Sequence, residues 1–475
     1  MKLHQLCLLL LSTGHLAGQG IGIGTSLPDS SSIVEIESIS KGVLLTRLTT
    51  SQRNLIEDPV QGLLVFDTDK NTLYLFDGNK WLPLMYTTDP NTIPLSSIGD
   101  VSDAASGDSL GYAVDIDGDY AIVGAPYDNI DADDDQGSAY IFYKGDGAWE
   151  EQAKLTVPLG AADDHFGISV SISGDYAIIG APHTNLGGTD RGNAFVFRRN
   201  GTNWLQVARL NAFDGMAGDF FGHAVSIDGD YAVVGAYNAE TVGRAYVFYR
   251  DTGWALNQLY QAKLIPSVAL NSNFGWSVDL FGDEAFVGAP VENVDGDVAR
   301  GAAYVFTRSG TTWLQTARIY AHDGNPGDAF GFSVSMTNIF AGVGAPFDDV
   351  GSNGEQGSAY IFYGPGGWSD DQPFFHKLTA PDGNAFDLFG TSVCISDNNY
   401  VVVGAPQKST TSYNFHGGAY LYELYTFELI KRKLDDQTIQ AYARFGKSVS
   451  IDGYNIIVGA PFKNEIGQVQ YLNIE

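Results

Sequence analysis

The feature that most constrains this chain is a repeat. A Phe-Gly pair is followed thirteen or fourteen residues later by Gly-Ala-Pro, and the combination returns at a nearly fixed interval. Aligned on the first glycine, the units start at Gly111 (preceded by Leu), Gly167, Gly222, Gly275, Gly331, Gly390 and Gly446, with spacings of 56, 55, 53, 56, 59 and 56. The second glycine recurs as Gly124, Gly180, Gly235, Gly288, Gly344, Gly404 and Gly459, and only the third of these opens Gly-Ala-Tyr instead of Gly-Ala-Pro. Seven in-register copies mean seven copies of one supersecondary unit.

Residues 166–182, FGISVSISGDYAIIGAP, show what that unit is. GISVSI alternates apolar with small residues, as a strand with two unlike faces does. YAIIGAP is apolar almost throughout and so reads as buried on both sides. The Gly-Asp between them is the link of a tight hairpin. A third strand follows as SAYIFY, NAFVFR, RAYVFY or AAYVFT, and a fourth is expected near Trp149, Trp204, Trp254, Trp313 or Trp368. Units six and seven lack that tryptophan. Four-stranded units at a fixed period, each too thin to bury both faces, are the blades of a β-propeller. The expected fold is all-β: a seven-bladed propeller over residues 92–475, behind a small mostly β module over 20–86. The last unit ends after its third strand, so a segment near residues 92–98 is expected to complete that blade and close the ring.

The first residues, MKLHQLCLLLLSTGHLAGQG, carry Lys2, an apolar run from Leu6 to Leu11 and small residues at Ala17 and Gly18. This is the layout of a leader over 1–19. It implies export and a secreted or cell-surface destination. Cys7 lies in the apolar run, which leaves Cys394 as the one thiol of the mature chain and no intramolecular disulfide. No later stretch approaches the ~18 apolar residues of a membrane span. The front module, with a helix expected near Ser51 to Glu57 and strands at Leu63–Asp67 and Thr72–Phe76, ends in a linker at residues 87–92.

The formal charge of −30, from 26 Lys and Arg against 56 Asp and Glu, argues against a nucleic-acid partner. It is compatible with hard cations, Ca2+ above all, and equally with plain solubility.

The paired signatures resemble FG-GAP repeats, the blades of the integrin α-subunit propeller and of many bacterial surface proteins. Phe166, Gly167, Gly180, Ala181, Pro182 and their counterparts carry the likeness. The front module resembles an N-terminal segment of exported Bacteroidetes proteins. The resemblance implies a binding or adhesion role. Integrin-type blades hold Ca2+ in an Asp-rich loop between the two signature strands, but that loop is cut here to DIDGDY, SISGDY or SIDGDY, so the metal site is not carried over.

Topology places the links between strands two and three, and those between blades, on one face of the ring. The links 127–137, 291–301 and 347–357 are acid-rich. Asp128, Asp131, Asp133 and Asp135 in the first, with Asp295 and Asp297 in the second, are candidate Ca2+ ligands. Asp348 and Asp349 mark a candidate ligand-binding region on the same face. The plain alternative is a solvated loop whose carboxylates cap turns. An Asp three residues before the signature glycine recurs at Asp108, Asp164, Asp219, Asp328 and Asp387, and reads as a turn residue. No nucleophile motif occurs, His165, His183, His223, His322, His376 and His416 show no pairing at metal spacing, and Cys394 stands where blade two has Ser171. No catalytic residue is assigned. The sequence therefore favours an extracellular scaffold recognising a protein, glycan or matrix ligand. An extracellular hydrolase or lyase using loop-face carboxylates, and a structural subunit of a surface assembly, are the alternatives.

Overall fold

A computed structural model describes residues 21–23, 34–36, 45–56, 58–68, 72–76, 78, 81–84, 92–99, 101–145, 148–158, 160–185, 190–268, 271–409, 414–424, 432–435 and 440–474. The leader expected over 1–19, with Cys7, lies outside them. The chain divides into two compact units, Met1–Thr88 and Asp89–Glu475.

In the first unit, Arg47–Leu48, Leu64–Asp67, Thr72–Phe76 and Trp81–Leu84 form one sheet in that order, and the first pair is parallel. A short helix, Thr50–Asn54, begins in a capping box. Thr49 accepts from the Gln52 backbone, and the Gln52 side chain accepts from the Thr49 N–H. The helix turns Arg53 inward, where its guanidinium lies 3.6 Å from the Tyr74 ring centre and 3.2 Å from the buried Asp67 carboxylate. Among the described residues, Ile21–Ile23 and Val34–Ile36 make a separate parallel pair.

The second unit is a ring of seven sheets, antiparallel apart from one added edge strand in blade six. Blade two is typical: Ser169–Ser173, Tyr176–Ala181, Asn193–Asn200 and Asn203–Leu210 run from the axis outward. Its first hairpin turns on Gly174 (φ +57°) and Asp175, with glycine at the first central position as a type II′ turn demands. Ile178 and Ile179 are wholly buried on opposite faces of the second strand.

The signature residues act between blades. A Cβ on Gly124 would lie 2.0 Å from the Gly167 carbonyl oxygen of the next blade, so the backbones touch where only glycine fits. The same contact recurs as Gly180 to Gly222, Gly235 to Gly275, Gly288 to Gly331, Gly344 to Gly390 and Gly404 to Gly446. It closes the circle as Gly459 to Gly111. Phe166, Phe221, Phe274, Phe330 and Phe389 are fully buried beside these contacts.

Two details depart from the sequence reading. In blades three and five the outer strand is only Ala262–Leu264 and His376–Leu378, and it does not begin at Trp254 or Trp368. There the side-chain amides of Gln258 and Gln372 donate to the Tyr249 and Tyr363 carbonyls, in the place of a strand partner. The segment before blade one is also shared between two blades. Thr92–Pro94 pairs in parallel with Arg432–Asp435 of blade six, and Ser96–Ser97 pairs with Gln470 and Tyr471 of blade seven. Ile98 follows, fully buried between blades seven and one beside Val114 and Val469.

Candidate functional site

The links that join strands two and three interlock with the segment that enters the next blade. The Asp163, His165 and Phe166 N–H groups donate to the carbonyls of Asp134, Asp135 and Gln136, and the arrangement recurs around the ring. Both kinds of loop therefore share one face, and the clipped hairpins occupy the other.

On that face most of the candidate carboxylates already have protein partners. Asp128 is buried, accepts from the Ser138 hydroxyl at 2.5 Å and the Tyr140 hydroxyl at 3.2 Å, and lies 2.7 Å from Lys154 Nζ. Lys154 also pairs with Asp103 at 2.5 Å. Asp348 repeats the pattern in blade five with Ser358, Tyr360 and Lys377, and Glu292 with Tyr304 and Arg318 in blade four. These are anchors that tie each loop to its sheet. Asp349 accepts from the Glu355 N–H and closes its own loop. Asp295 and Asp297 lie 3.5 and 3.4 Å from Arg300. Asp131 and Asp133 belong to a tight turn held by reciprocal backbone bonds between Ile130 and Asp133. The four candidate ligands Asp128, Asp131, Asp133 and Asp135 do not converge on one point.

The recurrent Asp before the signature is a turn residue. Asp108, Asp164, Asp219, Asp328 and Asp387 are all buried and accept the N–H of the residue three earlier at 2.6 to 2.8 Å. Burial pushes Asp328 up to about 6 despite that bond.

Along the axis, the innermost strands enclose a cavity of about 220 Å³. One residue per blade forms its belt: Asp115, Ser171, Ser226, Asp279, Ser335, Cys394 and Ser450. Asp115 accepts from the Ile172 N–H and the Ser450 hydroxyl, both at 2.8 Å, and Asp279 accepts from the Met336 N–H at 2.7 Å. Desolvation raises Asp115 to about 6 and Asp279, with the Asp115 charge adding to it, to about 7. Burial likewise pushes the Cys394 thiol up to about 12, which leaves it unreactive as a nucleophile.

At the loop-face mouth the residue after each signature glycine changes from blade to blade: Tyr112, Ile168, His223, Trp276, Phe332, Thr391 and Lys447, all half-buried. Rings from these and adjacent positions form one continuous belt over five blades. Tyr112 meets Tyr127, Tyr127 meets His165, and His165 meets His183 at 4.8 Å between centres. His183 meets Phe220, which stacks on Tyr237 at 5.4 Å. Tyr237 touches both His223 and Trp276, and Trp276 meets Phe332, which meets Phe347. Lys447 Nζ, from blade seven, lies 4.9 Å from the Tyr112 ring centre at the blade-one end of the belt. Burial, then the charge of Lys447, lowers His223 to about 4; burial, then Arg444, lowers Lys447 to about 8. Phe386 and Tyr442 stand 56% exposed on the same face.

Six stretches, 101–142, 149–197, 204–248, 260–306, 313–362 and 374–422, match the FG-GAP repeat, and together they span more than half of the chain. The chain belongs to the FG-GAP repeat family. The seventh blade of this FG-GAP ring lies beyond the matched stretches, and its Gly459 to Gly111 contact places it in the same series. Residues 22–97 match a family described as a phage tail like trimerisation region. Among curated proteins, none matches the chain. A solved structure similar to it, the crystal structure of Saccharomyces cerevisiae Sqt1, shares 11% identity at a TM-score of 0.41, over 81% of this chain and 85% of that one.

In this FG-GAP protein the sequence reading missed the aromatic belt and the contact between His165 and His183. Its signal was nevertheless present. The position after the signature glycine varies while its neighbours repeat, and a position that varies within a fixed frame is where a scaffold displays different chemistry. The two histidines sit in different parts of the unit, so no linear spacing pairs them.

Proposed function

We propose that this FG-GAP propeller is an extracellular binding and adhesion scaffold, not an enzyme, and that the loop-face mouth of the ring is its recognition surface. The single observation that carries this reading is the continuous aromatic belt from Tyr112 to Phe347 around the axis. Aromatic rings set in a rigid frame offer large contact area at little conformational cost, the composition of binding hot spots. Indole and phenol faces also stack on the apolar face of a sugar ring, so a glycan or a glycosylated matrix protein is the ligand class that fits. The leader-like residues 1–19 support an extracellular setting for this role. Among the described residues no helix is long and apolar enough to cross a membrane.

The match of residues 22–97 to a trimerisation region supports a homotrimer that presents three rings together. Three linked sites raise apparent affinity by roughly 10²–10⁴ over one. The test is a panel of immobilised glycans and matrix proteins probed with the full chain, with light scattering on the same sample. Retention of at least one ligand class by a trimer is expected. A chain that binds no member of the panel overturns the reading of the mouth, and a monomeric chain overturns the trimer.

A further inference from the structure

One junction of the ring carries a donor set that its counterparts lack. Asp135, in the link between strands two and three of blade one, meets Asp163 and His165 from the segment entering blade two. One ligand atom from each lies within 4.8 Å of the others. The His165 N–H donates to the Asp135 carbonyl and the Asp163 N–H to that of Asp134, so the backbone fixes the three donors relative to one another. On the far side His183 packs its ring edge-on to His165, with Nδ1 3.3 Å from Asp190 Oδ1.

We propose that Asp135, Asp163 and His165 bind a divalent transition-metal ion of the Zn2+ class, with His183 as the nearest further donor. Two donors bound at about 2.1 Å can stand at most about 4.2 Å apart, so side-chain rotation of a few tenths of an ångström closes the trio on one ion. The imidazole decides the class of metal. Ca2+ takes an all-oxygen shell, whereas mixed imidazole and carboxylate sets suit Zn2+ and its neighbours. Three protein ligands leave open positions, which solvent or a carboxylate or hydroxyl from a bound partner can fill.

The ring supplies its own comparison. The same interlocked backbone positions hold Ala299, Gly327 and Ala329 between blades four and five, and Phe415, Tyr442 and Arg444 between blades six and seven. The loop architecture therefore does not require metal-ligating side chains there. All three residues of the trio have positive φ, +52° at Asp135, +64° at Asp163 and +52° at His165, and an Asn replacement tolerates that backbone.

The test is calorimetric titration of the full, chelator-treated chain with ZnCl2 and, separately, CaCl2. One Zn2+ per chain is expected, at least about 10-fold tighter than Ca2+. His165→Asn and Asp163→Asn each weaken it by about 10- to 100-fold, and Asp131→Asn, in the same loop but outside the trio, leaves it unchanged. X-ray absorption of the Zn2+-loaded unmodified chain reads the shell without any variant, and imidazole back-scattering is expected. No Zn2+ binding, Ca2+ binding of equal strength, unchanged affinity in His165→Asn, or an all-oxygen shell overturns the proposal.

Discussion

Gly459 and Gly111 lie far apart in sequence, yet a Cβ built on Gly459 would stand 2.0 Å from the Gly111 carbonyl oxygen. The Ser448 hydroxyl donates to that same oxygen at 2.9 Å. The contact repeats what Gly124 makes with Gly167 inside the ring, so the seam between blades seven and one has the geometry of any other junction. Gly459→Ala forces backbone apart at a closed seam and should cost about 3 kcal/mol or more. Gly366→Ala, at an exposed position outside the left-handed backbone region where an added Cβ meets nothing within 4 Å, should cost less than about 1 kcal/mol. Urea unfolding of the two variants checks this, and equal losses would contradict the role given to the glycine pair.

The seam also depends on the residues just before blade one. Removal of residues 1–88 should leave the melting temperature of the ring nearly unchanged, because Ser96–Ser97 and Ile98 remain. Removal of residues 1–98 takes away the last strand of blade seven and a fully buried isoleucine. A fall on the order of 10 °C is expected. Equal melting of both truncations would show that this segment does not hold the ring shut.

Asp128 tests the difference between an anchor and a ligand. Asp128→Asn leaves Lys154, itself only 22% exposed, with Asp103 alone and should destabilise the ring by about 3 kcal/mol. Combining it with Lys154→Met should recover part of that loss, since the two effects are coupled. Chemical denaturation of the two single variants and the double variant measures the coupling, and strict additivity would contradict it.

The two axial carboxyls set a pH dependence. Asp115 and Asp279 titrate near 6 and 7 in the folded ring, against an ordinary value of 3.8. A raised folded value means that the native state holds these protons more tightly than the unfolded chain. Their contribution to stability is therefore fully present below about 3.8 and is lost as pH climbs through 6 to 7. Asp115→Asn combined with Asp279→Asn forfeits an acceptor at each site, a cost independent of pH, and removes the titration. The variant's melting temperature relative to the unmodified chain should rise from pH 4 to pH 8. A difference constant with pH would contradict the shifts.

The ring was legible in the sequence because its defining contacts use the same residue types seven times. Phe166, Gly167 and Gly180 are visible as a repeat and are explained by the glycine contacts between blades. The Asp128–Lys154 anchor was less legible. Its partners come from two strands and two loops, and the link that holds Asp128 looks like a cation loop when read linearly. The outer strands near Trp254 and Trp368 were misplaced because Gln258 and Gln372 satisfy strand carbonyls from side chains, which no periodicity reports. The aromatic mouth was hidden for the opposite reason. Tyr112, His223, Trp276 and Phe332 occupy one repeated position, but what matters there is that they differ.

The most direct test of the recognition surface is surface plasmon resonance of the ligand best retained in the glycan and matrix panel, against the unmodified chain, Trp276→Ala and Tyr454→Ala. Trp276 lies in the belt, and Tyr454 lies in the blade-seven hairpin on the opposite face. Trp276→Ala should weaken binding by at least about 10-fold while Tyr454→Ala binds as the unmodified chain does. Undiminished binding by Trp276→Ala, or loss confined to Tyr454→Ala, would contradict this.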